Sequence, residues 1–230
     1  MRLRSWIVSW VVGAGVALAA IAPTVAMTST VGASGWAGRD AEVTVVHGIP
    51  GVAVDVYIDG RKALTDFTFG TVTPEIALEP GLYRIAIRPY EASPWSKPIL
   101  AAREWLGRGE NATIAADLST TGSPELTVFD NPTRALPMGD ARVIVRHLAE
   151  APAVDVYAGT SKIVSDLTNP HQAVLTIPAA SNVPVSVDAA GTTTTVIGPV
   201  TLSFKAGTTT IVYAIGSLAG DTLTAVVQTY

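Results

Sequence analysis

The 230-residue chain contains no cysteine. That excludes disulfides, thiolate metal sites and thiol catalysis, and it also excludes lipid attachment through an N-terminal cysteine. Charge is scarce: 15% of residues are Asp, Glu, Lys or Arg, and the formal net charge is −4. Arg2 and Arg4 are the only charged residues among the first 35, so the remainder, without these two cations, carries −6. Nucleic acid is therefore not an expected partner, because its binding needs a basic footprint. The charge is equally too small to define a surface for acidic or basic partners at large. After residue 26 no stretch carries a helical hydrophobic period. Beyond 6–22 no apolar run is long enough to suggest a membrane span. What the chain does have is apolar content: 48% hydrophobic residues, too many for a disordered polymer.

One stretch occurs twice. His47, Asp55, Tyr57 and Asp66 reappear as His147, Asp155, Tyr157 and Asp166, each at an offset of 100 residues. Around them, Val54-Asp55-Val56-Tyr57 repeats as Val154-Asp155-Val156-Tyr157. An internal repeat fixes architecture before anything else does. It divides the chain into an N-terminal segment and two units of ordinary domain size, 41–133 and 134–230.

Residues 1–26 read as an export signal. Arg2 and Arg4 give the positive start, 6–22 the apolar core, and Thr24-Val25-Ala26 an acceptable cleavage site. An uncleaved anchor is the rival reading, since the 17 residues 6–22, apolar but for Ser9, sit at the lower limit for a span; the membrane would then be met only through this segment. Residues 27–40 have a linker composition, with Trp36 as their one aromatic. From residue 41 the pattern turns to period two. Strands are expected at 42–45, 53–58, around Phe67 and Phe69, and at 75–78, 82–88, 99–106, 112–118 and 126–129. Asp59-Gly60 is a hairpin signal. The second unit repeats the order at 141–146, 153–157, 175–177, 183–187, 200–204, 210–215 and 223–228. Short alternating strands with turns about every ten residues predict an all-β chain of two tandem Ig-like or prealbumin-like β-sandwiches.

At the two histidine-to-tyrosine segments the chain resembles the bacterial family called domain of unknown function 4397. The residues that carry this are His47-Gly48-Ile49-Pro50 with Val54-Asp55-Val56-Tyr57, and His147 with Pro152-Ala153-Val154-Asp155-Val156-Tyr157. The closing segments, 211–217 and 226–229, look like the actinobacterial two-repeat members. The resemblance implies an exported, envelope-associated β-sandwich protein and brings no activity or catalytic residues with it.

His47 with Asp55 and Asp66, echoed by His147 with Asp155 and Asp166, is the one constellation that could hold a metal or run acid–base chemistry. The expected role is structural: a strand-end histidine bonded to a nearby carboxylate would pin a turn, and two intact copies suit a fold signature better than two active sites. No catalytic, metal or cofactor residues are therefore assigned; a hydrolase-type enzyme built on His47 is the alternative. Tyr57 and Tyr157 share a face with the aspartates and are read as half-buried strand residues. What the copies do not share is aromatic. Trp95 and Trp105 occur only in the first unit, and aligning Gly109 with Gly207 sets Trp105, an outward position, opposite Ser203. These tryptophans could stack on sugar rings or dock a partner; the plainer expectation is that Trp105 covers the domain interface and Trp95 plugs its loop. The function expected is that of an exported, noncatalytic module that binds or scaffolds in the cell envelope or outside the cell, with envelope polysaccharide or another envelope protein as partner. A purely structural wall component is a further alternative.

Overall fold

A computed structural model describes residues 40–230. The expected leader, 1–26, and linker, 27–40 except Asp40, lie outside the described residues, and Trp36 with them. The described residues belong to one compact unit. They fold into sixteen strands and, among themselves, no helix. The first half contains β1 (Ala41–His47), β2 (Val54–Ile58), β3 (Arg61–Phe67), β4 (Ile76–Leu78), β5 (Gly81–Pro89), β6 (Leu100–Leu106), β7 (Asn111–Leu118) and β8 (Pro124–Asp130). The second half contains β9 (Asp140–Glu150), β10 (Val154–Ala158), β11 (Ser161–Leu167), β12 (Gln172–Pro178), β13 (Ala180–Ala189), β14 (Thr195–Phe204), β15 (Thr209–Ser217) and β16 (Thr224–Thr229).

Each half is a pair of four-stranded sheets in the same order. In the first half these are β4-β1-β7-β8 and β3-β2-β5-β6; in the second they are β12-β9-β15-β16 and β11-β10-β13-β14. All neighbours are antiparallel except β1 with β7 and β9 with β15, which are parallel. Alternation explains the packing: successive side chains of a strand face opposite sides of its sheet. Val43, Val45 and Ile114 from one sheet meet Val54, Val56, Ile85 and Ile87 from the other in the first core. Val143, Val145, Val154, Val156, Val185 and Val187 do the same in the second.

Two details depart from the pattern-based expectation. Phe69 lies beyond β3, which ends at Phe67, and packs instead against the apolar cluster between the halves. β3 begins at Arg61, well before the stretch around Phe67 and Phe69 where a strand is expected, and β11 has no counterpart among the expected strands of the second unit. Both carry a bulge opposite Val54–Val56 and Val154–Val156, which breaks the two-residue period. The Asp59-Gly60 signal does mark a hairpin: both residues have positive φ, 49° and 78°, as a type I′ turn requires.

The two halves meet sheet on sheet. The faces of β1, β7 and β8 that turn away from the first core bring Val46, Ala115 and Phe129 against Ile144, Leu148, Ile211, Tyr213 and Ile215 of the second half. Here the repeat is not symmetric. Arg146 stands where the first half has Val46, and it is fully buried. Its guanidinium donates to Asn131 Oδ1 at 2.6 Å, Gln172 Oε1 at 3.0 Å and the Tyr213 hydroxyl at 3.3 Å. It also lies 4.3 Å from the Phe129 ring centroid. Tyr213 in turn donates to Gln228, and Gln228 donates to Thr44 of the first half. Burial lowers the pKa of Arg146 from its usual value, and the hydrogen bonds and ring contact offset the cost of that burial. Leu148 fills the interface at the position that corresponds to Gly48. A Cβ on Gly48 would come within 3.1 Å of Ile215 Cγ2, so glycine there leaves room for the second half. Arg142 secures the connection between the halves by donating to the carbonyls of Pro132 and Arg134, both at 2.7 Å.

Arg146→Ala removes a donor from Asn131, Gln172 and Tyr213 at a buried interface, where Thr113 still lies 3.3 Å from both Asn131 Oδ1 and the Tyr213 hydroxyl. Chemical unfolding should show a loss of roughly 3 kcal/mol, because an orphaned buried polar group costs about 1–3 kcal/mol. A loss below about 1 kcal/mol would contradict this role for the arginine.

Candidate functional site

The repeated histidine ends β1 and β9. His47 Nε2 lies 3.0 Å from the Val52 carbonyl, and its Nδ1 accepts the Ile49 N–H at 3.3 Å. His147 does the same with Pro152, at 2.9 Å, and Ala149, at 3.4 Å. The pattern fixes the tautomer in both copies: Nε2 carries the proton and Nδ1 accepts. Each ring closes the turn into the next strand by two backbone bonds, which is why a histidine recurs there. Burial lowers both histidine pKa values, against the opposing pull of the bonded carbonyl. Neither ring bonds a carboxylate, so the expected histidine–aspartate contact is replaced by histidine–backbone contacts. With both ring nitrogens engaged, His47 has no free lone pair to accept a substrate proton.

The aspartates form a separate device. Asp55 Oδ2 pairs with Lys62 Nζ at 2.6 Å, while its Oδ1 accepts from Thr65 Oγ1 at 2.9 Å and the Asp66 N–H at 3.2 Å. Asp155 pairs with Lys162 at 2.6 Å and accepts the Asp166 and Gly191 N–H groups at 3.0 and 3.1 Å. The amide of Asp66 or Asp166 falls at the bulge, where ladder pairing is interrupted, and the carboxylate of the neighbouring strand takes it instead. The bulge also explains why the second aspartate recurs. Asp66 and Asp166 have φ of 50° and 51°, a conformation that aspartate tolerates better than most residues. Burial tends to raise the Asp55 pKa, but the bonds from Lys62, Thr65 and the Asp66 amide hold it below the ordinary carboxylate range. The Lys162 bond, with the two amides, holds Asp155 down to about 2. Tyr57 is buried beneath Arg88, 4.9 Å from its ring centroid, and Lys62, at 5.7 Å. Tyr157 has Lys162 alone, at 5.6 Å. The lysines recur at the same offset of 100 as the aspartates, a signal present in the sequence that the histidine-centred reading leaves out.

The motif residues therefore divide into a histidine turn and an aspartate–lysine bulge clip, twice each. Among the described residues no group of three or more His, Cys, Asp or Glu is arranged to hold a metal ion. The void beside His147 is about 20 Å³, lined mainly by apolar side chains, and has room for about one water.

The tryptophans stand elsewhere. Trp105 is 68% exposed on the outer face of β6, beside Leu82, its cross-strand neighbour on β5, at 56%. That sheet is not the one that meets the second half, so Trp105 does not cover the interface. Trp95 is 93% exposed and does not plug its loop. Arg88 Nε donates to the Ser96 carbonyl at 3.0 Å and holds that loop against the outer side of β5.

One buried acid was not foreseen. Asp117 lies on the face of β7 turned toward the second half, with Oδ2 accepting from Thr127 at 3.3 Å and Oδ1 unpartnered. Burial, with a smaller push from Glu125, drives it up to about 8 against the pull of the Thr127 bonds. An acid inside the mostly apolar run 112–118 was the available clue.

These features define an all-β protein of two similar sandwich-like halves, with a duplicated turn-and-bulge motif at equivalent corners. The family described as Domain of unknown function (DUF4397) matches residues 41–157, which spans the first copy of the motif and the second as far as Tyr157, and the chain belongs to that family. No curated protein matches the chain.

Asp117 yields a pH prediction. An unfolded aspartate titrates near 4 and the folded one near 8, so between these values the folded chain holds a proton that the unfolded chain has released. Its stability contribution therefore declines as pH rises through that window. Asp117→Asn should remove this decline. The stability of the variant relative to the parent should grow by roughly 1.4 kcal/mol per pH unit between about pH 5 and 7, the slope for one proton, while the histidine contributions cancel in the comparison. A pH-independent difference in urea unfolding would contradict a protonated Asp117.

Proposed function

We propose that this chain is an exported, noncatalytic module that binds or scaffolds in the cell envelope. The carrying observation is that both copies of the one constellation with catalytic residue types are engaged in holding the backbone: each histidine through a carbonyl and an amide, each aspartate through a lysine and a bulge amide. The motif is used alike in both halves, as a fold signature would be. The residues free to meet a partner are those that the halves do not share, Trp95 and Trp105 first. Export is supported by the Arg2–Arg4 start, the apolar core at 6–22 and the small-residue site ending at Ala26.

The sandwich type proposed is prealbumin-like. In Ig constant domains the first two strands neighbour each other in one sheet. Here β1 and β2, like β9 and β10, lie in different sheets, which supports the prealbumin-like reading over the Ig-like one. The closing segments 211–217 and 226–229 support placing the chain among the two-repeat actinobacterial members.

Expression in a bacterial host, followed by intact-mass measurement of protein from the medium, envelope and cytosol, tests the export reading. The expected result is a species in the medium or envelope that has lost the residues up to Ala26. Full-length protein confined to the cytosol would overturn it.

A further inference from the structure

The outer face of the sheet β3-β2-β5-β6 differs from its counterpart in the second half in a consistent way. On β5 and β6, Arg84 and Arg103 are directly opposite each other across the strands. Like charges in that position repel. Both are exposed, and among the described residues neither guanidinium has an acidic or hydrogen-bonding partner, Asp59 accepting from the Arg84 backbone amide alone. Leu82 and Trp105 form the next outward pair along the same two strands. In the second half the equivalent positions are Pro184 and Thr201 for the arginines, paired in the same way, and Asn182 and Ser203 for Leu82 and Trp105, joined at an irregular part of the ladder by a bond from the Asn182 amide to Ser203 Oγ. Arg88 opposite Asp55 becomes Asp188 opposite Asp155. One half thus presents unpaired cations beside exposed indole and aliphatic surface, and the other presents neither, in a chain whose net charge is negative.

We propose that this face of the first half binds an acidic polysaccharide: the Arg84–Arg103 pair takes the carboxylates, and Trp105 stacks on a sugar ring. This rests on the reading of the chain as an envelope binding module and specifies its ligand. Three features argue for it. Two unpaired guanidiniums side by side repel each other, an anion between them would relieve that repulsion, and the planar fork of arginine fits a carboxylate with two parallel bonds. An indole has the flat apolar surface on which a sugar ring can lie. The exposed groups also form a row rather than a single tip. Trp105 lies at one end of β6 and the Trp95 loop adjoins the other, with roughly 17 Å of strand between Leu100 and Trp105 at about 3.3 Å per residue. A chain of sugars can run along such a row; an anionic bilayer would be better met by apolar groups clustered at one end.

The test uses the purified protein and three probes: polygalacturonate oligomers, neutral dextran, and vesicles of anionic phosphatidylglycerol. Binding is measured by calorimetry at low and moderate salt. The proposal expects salt-sensitive binding of polygalacturonate and little binding of dextran. Arg84→Gln with Arg103→Gln should weaken polygalacturonate binding at least tenfold, as should Trp105→Ser, which installs the residue of the other half. The double variant should melt no lower than the parent, because it removes a repulsion. Absence of polygalacturonate binding, equal binding by the variants, or binding of vesicles in preference to the glycan would each overturn the proposal. An exported protein that fails this test would leave the envelope reading standing, whereas cytosolic retention in the mass experiment would remove that reading whatever the calorimetry gives.

Discussion

The structure depends on one buried cation. Arg146 lies between two sheets from different halves, and among the described residues its partners are neutral oxygens and aromatic rings rather than a carboxylate. An arginine in such a place is costly unless its donors are met. The groups that meet them come from both halves: Asn131 and Phe129 from the end of the first, Gln172 and Tyr213 from the second, with Gln228 extending the chain of bonds back to Thr44. The guanidinium is satisfied only when the two sheets are in register. The apolar cluster supplies the driving force for association, which is not directional; the polar chain selects one arrangement among those that would bury similar area.

The repeat explains why such a selector has a place to act. Two copies of one fold, packed through equivalent sheets, would present nearly the same surface to each other. Replacing Val46 by Arg146 at corresponding positions, and Gly48 by Leu148, makes the two surfaces different and complementary. Elsewhere, at the histidine turn and the aspartate–lysine clip, the copies stay alike because the same backbone problem recurs: a tight exit from the first strand and an interrupted ladder in the third. The same division between kept and diverged positions applies to the outer sheets, where the first half has Arg84, Arg103 and Trp105 and the second has Pro184, Thr201 and Ser203. The shared positions, and the diverged ones at the interface, are accounted for by the fold itself; the diverged positions of the outer sheets have no such contact to explain them.

Much of the fold was legible in the sequence because period-two alternation and the offset of 100 are strong signals. They located most strands, the hairpin at Asp59-Gly60 and the duplication itself. They failed where the backbone leaves the regular pattern: a bulge hides the true extent of β3 and the whole of β11, and it moved Asp66 and Asp166 from apparent chemistry to backbone conformation. The role of the histidines in closing a turn was legible, but their partners were not, because backbone carbonyls leave no mark in a sequence. The exposure of Trp105 followed from the alignment with Ser203, whereas the absence of the second half above it needed the sheet order. Arg146 and Asp117 could have been noticed as charges inside apolar strands, but which surface buries them is a property of how the halves meet.

The central claim is that the two halves are one cooperative body locked at the Arg146 interface. Differential scanning calorimetry of the purified protein tests it most directly. The account predicts a single transition whose calorimetric and van't Hoff enthalpies agree, as a two-state unit requires. Two resolved transitions, or a calorimetric enthalpy about twice the van't Hoff value, would show that the halves unfold independently and would contradict it.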